Sequence, residues 1–168
     1  MSFELPTGTA TTKAEHYAEL LAALDGLLHG ERDAIANCAN AASLLWHTLP
    51  DLNWAGFYLW NGHELVVGPF QGKPACVRIA PGRGVCGTAA ERRATIVVPN
   101  VHDFPGHIAC DAASNAEIVV PMLAGERLLG VLDLDSPTTN RFDADDAVGL
   151  ERFVTQLLDG CDWPAEWR

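Results

Sequence analysis

Asn53-Trp54-Ala55-Gly56-Phe57-Tyr58-Leu59-Trp60-Asn61-Gly62 reads as a β-strand entering a turn. Trp54, Gly56, Tyr58 and Trp60 fall on one face, and Ala55, Phe57 and Leu59 on the other, because strand side chains alternate. Asn-Gly after an alternating run is a strong hairpin signal, so Glu64 to Phe70 is expected to return antiparallel. Gly72 to Pro74 interrupts, and Ala75 to Ile79, carrying Cys76, is expected as a third short strand. Further strands are expected at Thr95–Val98, Ala116–Met122 and Arg127–Asp135, the last two joined by a turn at Gly125-Glu126. Upstream, Tyr17, Leu20, Leu21, Leu24, Leu27 and Leu28 form a helical stripe within Lys13–His29. A second stripe, Ile35, Cys38, Ala42, Leu45 and Trp46, runs through Glu31–Leu49 and stops at Pro50. A closing helix over Phe142–Leu158 starts at Asp143 as N-cap. Six antiparallel strands flanked by N-terminal helices and a C-terminal helix make an α+β domain.

The chain has 168 residues, 48% of them hydrophobic and 20% charged, a composition that suits one globular domain spanning residues 1–168. Met1–Thr12 is expected as a loose arm, and Cys161–Arg168 as a tail whose Trp163 and Trp167 pack or make dimer contacts. A net charge of -11 argues against nucleic acid and anionic membrane partners. No apolar run reaches the length of a membrane span, and the first residues do not form a secretory signal, so the cytoplasm is the expected location. Five cysteines in such a chain do not form a structural disulfide framework. With no Cys-x-x-Cys pair and no paired histidines, neither a metal nor a cofactor is expected. Cys38 and Cys161 read as small core hydrophobes.

A long loop runs from Pro99 to Glu117. It has turn chemistry at Pro105-Gly106 and in its Asp/Ser/Asn cluster, but an apolar, reactive centre at His107, Ile108 and Cys110. Loops of this length inside a compact domain are usually lids, binding loops or links, and a link does not need a thiol. Cys110 is therefore a candidate nucleophile. Cys76 and Cys86 lie on two other segments, so a sulfenic acid at one cysteine has a second thiol to condense with. Asp111 and Glu117 oppose a reactive Cys110, since negative charge raises a thiol pKa. His107 or a cationic substrate would have to offset them.

Arg127–Asp135 ends Leu132-Asp133-Leu134-Asp135, with both aspartates on the face opposite the leucines. Confining two carboxylates raises the pKa of at least one and keeps a proton available near neutral pH. The alternative is a strand end emerging into a turn at Asp135-Ser136-Pro137. Glu117 is a third candidate carboxylate. Trp54 and Tyr58 flank Gly56, leaving a notch for a small apolar group unless the three simply pack the core. Gly82-Arg83-Gly84-Val85-Cys86-Gly87 precedes a helix whose free N–H groups suit an anion; a plain turn is the alternative.

The segments Val101-His102-Asp103-Phe104-Pro105-Gly106-His107-Ile108-Ala109-Cys110-Asp111 and Ser114-Asn115-Ala116-Glu117-Ile118-Val119-Val120-Pro121 resemble the free methionine-(R)-sulfoxide reductases, a family of GAF-type domains. So do Asn53–Tyr58, Gly68–Cys76, Gly82–Gly87 and Leu132–Ser136, and the three loop cysteines lie ten and then twenty-four residues apart, as in that family. The resemblance implies a GAF-like fold and reduction of free L-methionine-(R)-sulfoxide. Cys110 would attack the sulfoxide, and Cys76 would resolve the sulfenic acid, with Cys86 able to substitute or relay. Glu117, Asp133 and Asp135 would bind the ammonium and the sulfoxide oxygen, and Trp54 and Tyr58 the S-methyl group. It also implies recycling by thioredoxin and a homodimer. A ligand-sensing GAF module and a thiol redox sensor are the competing readings.

Overall fold

The computed structural model describes residues 5–6, 10–108 and 111–165. The expected arm and tail therefore lie partly, and Trp167 and Cys110 wholly, outside the described residues. The chain runs α1 (Lys13–Leu28), α2 (Ala34–Thr48), β1 (Trp54–Trp60), β2 (Leu65–Gly72), β3 (Arg78–Ile79), α3 (Gly84–Arg92), β4 (Ile96–Val98), β5 (Ala116–Ala124), β6 (Arg127–Ser136) and α4 (Ala144–Gly160), with one 3-10 turn at Val101–Asp103. The strands form one antiparallel sheet in the order β3-β2-β1-β6-β5-β4. Two three-strand meanders thus meet where β1 pairs with β6.

The alternation in β1 and β6 separates two cores. Ala55, Phe57, Leu59, Leu132 and Leu134 pack with α1, α2 and α4. Trp54, Tyr58 and Val131 look the other way, into a second cluster shared with α3 and the 3-10 turn. Leucines therefore seat the helices while the aspartates between them turn toward the second layer.

Helix ends follow local chemistry. Thr12 and Glu15 form a capping box on α1, and Asp143 and Asp146 form one on α4, each satisfying otherwise orphaned N–H groups. The second helix starts later than its apolar pattern suggests, because the Asp33 side chain accepts from the N–H of Ala36 and fixes the N-cap there. That register leaves Ile35, expected in the buried stripe, 44% exposed, and buries Asn37 instead.

Two strand expectations are corrected. The hairpin forms as expected, but its return strand is Leu65–Gly72 and not Glu64–Phe70: residues 61–64 form the loop, in which Asn61 Oδ1 accepts from the N–H groups of His63 and Glu64. The third strand is only Arg78–Ile79, paired with Val66 and Leu65, so Cys76 sits in a loop. Pro74 cannot donate to a ladder, and pairing begins only after it.

Asp146 ties α1 to α4. Its buried carboxylate accepts from Tyr17 Oη at 2.9 Å, Lys13 Nζ at 2.6 Å, Arg141 Nη1 at 3.3 Å and the N–H of Asp143 at 3.0 Å. Asp146→Ala leaves a buried hydroxyl and a largely buried guanidinium unpaired. The expected cost is on the order of 3 kcal/mol, a fall in Tm of roughly 6–12 °C by thermal circular dichroism.

Candidate functional site

The second face of the sheet holds a pocket lined by β1, β5, β6, the start of α3 and the loops before β3 and β5. Its volume is about 30 Å³, room for one or two waters. Register assembles its floor. Asp135 sits opposite Trp54 on one side and Glu117 on the other, and Asp133 sits opposite Gly56 and Val119. Glu117 and Asp133 are 6% exposed and Asp135 is half-buried. The reading of these aspartates as a strand end entering solvent is therefore set aside, since Ser136 after them is still paired and buried.

Crowded carboxylates removed from water resist ionising. Burial pushes Asp133 up to about 7. Burial, then the charges of Asp133 and Asp135, push Glu117 well up, and burial with Asp133 does the same to Asp135. One oxygen of this cluster, Asp133 Oδ1, is buried and has no hydrogen-bond partner among the described residues.

The aromatic wall differs from expectation in one respect. No notch remains over Gly56, because a Cβ there would lie 2.3 Å from Phe70 Cβ. Phe70 fills the gap and stacks on Trp54 at 5.1 Å between ring centroids, with Tyr58 stacked at 5.7 Å on the same indole. The apolar surface is thus three rings wide, and glycine at 56 lets β2 approach.

Cys86 projects from the first turn of α3, buried, with Sγ 3.9 Å from Glu117 Oε1. Burial and then the charges of Asp133 and Glu117 push its thiol well above the ordinary range, so it is a neutral thiol at pH 7. Arg83, the N-cap of the same helix, makes no side-chain cap, and the backbone of residues 83–86 borders the pocket. First-turn N–H groups of a helix are suited to an anion.

Cys76 lies half-buried against the same apolar layer, while its neighbours Lys73, Pro74 and Ala75 line the pocket. Trp54 Nε1 donates to the carbonyl of Lys73 at 3.1 Å, pinning this loop to the wall. Cys110 falls outside the described residues, but Asp111 beside it is well placed. Lys73 Nζ pairs with the Asp111 carboxylate at 3.1 Å, and Asn53 Nδ2 donates to Ser114 Oγ at 2.9 Å.

This alters how the negative charge near Cys110 is offset. Lys73 and the N–H of Ala113 hold Asp111 below the usual carboxylate range, so its charge is met locally by Lys73. Burial, then Asp133 and Asp135, push Glu117 well above the usual carboxylate range, which reduces the charge it presents. His107 is not the offset, because burial, then the nearby His102, push it down; its Nε2 stands 3.7 Å from Glu117 Oε2 as one neutral group beside another. Lys73, Asn53, Ser114 and Phe70 were not singled out from the sequence. Lys73 and Asp111 are 38 residues apart, and neither segment alone points to the other.

The site thus collects Trp54, Tyr58, Cys86, Glu117, Asp133 and Asp135 around one cavity, with Cys76 close behind its rim. Its lining offers carboxyls to a cation, a helix start to an anion and rings to an apolar end, and a solute larger than one or two waters enters only as the bordering side chains and loops give way. Holding three buried acids works against stability above their unfolded pKa. In the unfolded chain they titrate near pH 4; folded, they keep protons to higher pH, so stability falls as pH rises from about 4 through 7. Between roughly pH 5 and 8 the Tm is expected to fall for the native sequence. For Asp133→Asn the fall should be shallower and the Tm at pH 8 higher, as read by calorimetry; parallel profiles would show that Asp133 carries no raised pKa.

The GAF domain family model matches residues 33–158. The chain is 52% identical over 145 residues to the free methionine-R-sulfoxide reductase of Escherichia coli, covering 86% of this chain and 88% of that one. It is 43% identical over 157 residues to the free methionine-R-sulfoxide reductase of Saccharomyces cerevisiae, covering 89% and 87%. It also superimposes on the X-ray structure of free methionine-R-sulfoxide reductase from Neisseria meningitidis in complex with its substrate, with a TM-score of 0.90, 41% identity and 95% of both chains covered.

Proposed function

From the premise that this chain belongs to the GAF-domain free methionine-R-sulfoxide reductases, a family of enzymes, we propose that it reduces free L-methionine-(R)-sulfoxide by a thiol cycle centred on Cys110. The observation that carries this reading is the group of three carboxyls, two buried and one half-buried, that line one small cavity with Trp54 and Tyr58. Free methionine sulfoxide is a zwitterion with a polar S–O bond and an S-methyl group. Its ammonium finds a carboxylate, its carboxylate finds the N–H groups at the start of α3, and its methyl finds Trp54 and Tyr58, with Phe70 stacked on Trp54. A methionine sulfoxide within a polypeptide has amides in place of both charges, and would leave buried acids without a cation.

The Cys110 thiolate attacks the sulfoxide sulfur while one of Glu117, Asp133 and Asp135 gives its proton to the oxygen. Oxygen passes to Cys110 as a sulfenic acid, and methionine, now a thioether, leaves. The Cys76 thiol condenses with the sulfenic acid, releasing water and forming a disulfide. A dithiol then reduces that disulfide by exchange and is itself oxidised. We assign resolution to Cys76 and not to Cys86, whose thiol is held neutral in the acid cluster. Thioredoxin is the proposed dithiol, the cytoplasm the proposed compartment, since dithiols stay reduced there, and a homodimer the proposed assembly.

The test is consumption of NADPH by the protein with thioredoxin, thioredoxin reductase and free methionine-(R)-sulfoxide. Turnover is expected, and none with the N-acetyl amide of the same sulfoxide. Cys110→Ser abolishes it, and Cys76→Ser yields one methionine per enzyme and then stalls. Continued cycling by Cys76→Ser would transfer the resolving role to Cys86, and a complete absence of turnover by the native chain would leave a sensor. Asp133→Asn is expected to lower kcat/KM by about 10²-fold, most steeply at low substrate.

A further inference from the structure

The acid cluster has a feature the reductase reaction does not use. Cys86 Sγ, a Glu117 oxygen and an Asp133 oxygen lie within 4.8 Å of one another. They are contributed by three different regular elements, α3, β5 and β6, so their spacing is fixed by the sheet and its covering helix. Among the described residues, Asp133 Oδ1 is buried without a hydrogen-bond partner, an acceptor left open inside the cavity. The soft sulfur beside two hard oxygens distinguishes this group from an ordinary acidic patch.

We propose that this pocket binds a thiophilic divalent cation of the zinc class through Cys86, Glu117 and Asp133, and that the bound ion excludes the substrate. Sulfur and oxygen ligands at about 2.3 and 2.0–2.2 Å from zinc stand about 3.5 Å apart around a tetrahedral centre. The Cys86–Glu117 pair, at 3.9 Å, is already near that spacing, and the three atoms, within 4.8 Å of one another, reach it by a contraction of at most about 1.3 Å. One thiolate and two carboxylates leave a fourth position open to water. Binding releases the thiol proton to solvent, and the ion's two positive charges relieve the repulsion that otherwise forces protons onto the acids. Calcium and magnesium, which prefer six or more oxygens, find too few here.

Cation binding itself stands on the geometry; the exclusion of substrate rests on the reading above that methionine sulfoxide occupies this same cavity. The experiment uses the full chain carrying Cys76→Ser and Cys110→Ser, which removes the two thiols of the redox cycle as rival ligands. Cadmium(II) is titrated in chelator-free buffer and the thiolate-to-cadmium charge-transfer band is followed in the ultraviolet. One equivalent is expected to saturate the band. Adding Cys86→Ser abolishes it. Adding Glu117→Gln, which keeps the thiol and the side-chain volume, weakens binding by roughly 10-fold or more. A band that survives Cys86→Ser would place the ion elsewhere and overturn the proposal, as would no band at all or unchanged affinity in Glu117→Gln. Free methionine-(R)-sulfoxide is expected to displace cadmium. A band unaffected by saturating sulfoxide would overturn the exclusion. A band in a protein whose native form never turns over the sulfoxide would uphold the cation site while removing the proposed function.

Discussion

The structure depends on how one sheet face tolerates three carboxyls where a core would place hydrocarbon. Pairing of β1, β6 and β5 brings Asp135 alongside Glu117 and Trp54, and Asp133 alongside Gly56. No cation is buried among them. Lys73 is engaged by Asp111, and His107 is pushed toward its neutral form. The acids relieve their repulsion by keeping protons. The cluster thereby holds protons that free carboxylates would have lost, and the fold gives up stability above neutral pH to keep them.

The opposite face compensates. Phe57, Leu132, Leu134, Phe153 and Leu157 are fully buried between sheet and helices, and Asp146 locks α1 to α4 with four partners. The crowded acids lie on one face of the sheet and the helix-packed hydrocarbon core on the other, which a two-faced antiparallel sheet permits. Regular elements carry the acids, Cys86, Trp54 and Tyr58, while Cys76 sits in the loop before β3.

Much of the site was legible locally. Alternation in Trp54–Trp60 and Leu132–Asp135 correctly separates helix-facing from pocket-facing side chains, because period two is a property of the extended backbone itself. The N-cap at Asp143 and the turn at Gly125-Glu126 are likewise short-range. The third strand and the notch over Gly56 misled because both depend on a neighbouring strand. Pro74 delays pairing with β2, and Phe70 enters the gap from across the ladder. Ile35 misled because the side chain of Asp33 set the helix register, not the hydrophobic stripe.

The sequence by itself determined the α+β class, the six strands, the sidedness of β1 and β6 and the family to which the blocks around the cysteines belong, since each is encoded within a few neighbouring residues. Only the tertiary structure decided that Glu117, Asp133, Asp135 and Cys86 share one water-poor cavity, that Lys73 answers Asp111 and that His107 supplies no charge there. Those facts turn on burial and on distances between segments 30 or more residues apart. Electrostatics depends on the surroundings in space, and a side chain's charge state is settled only when its neighbours from other elements have arrived.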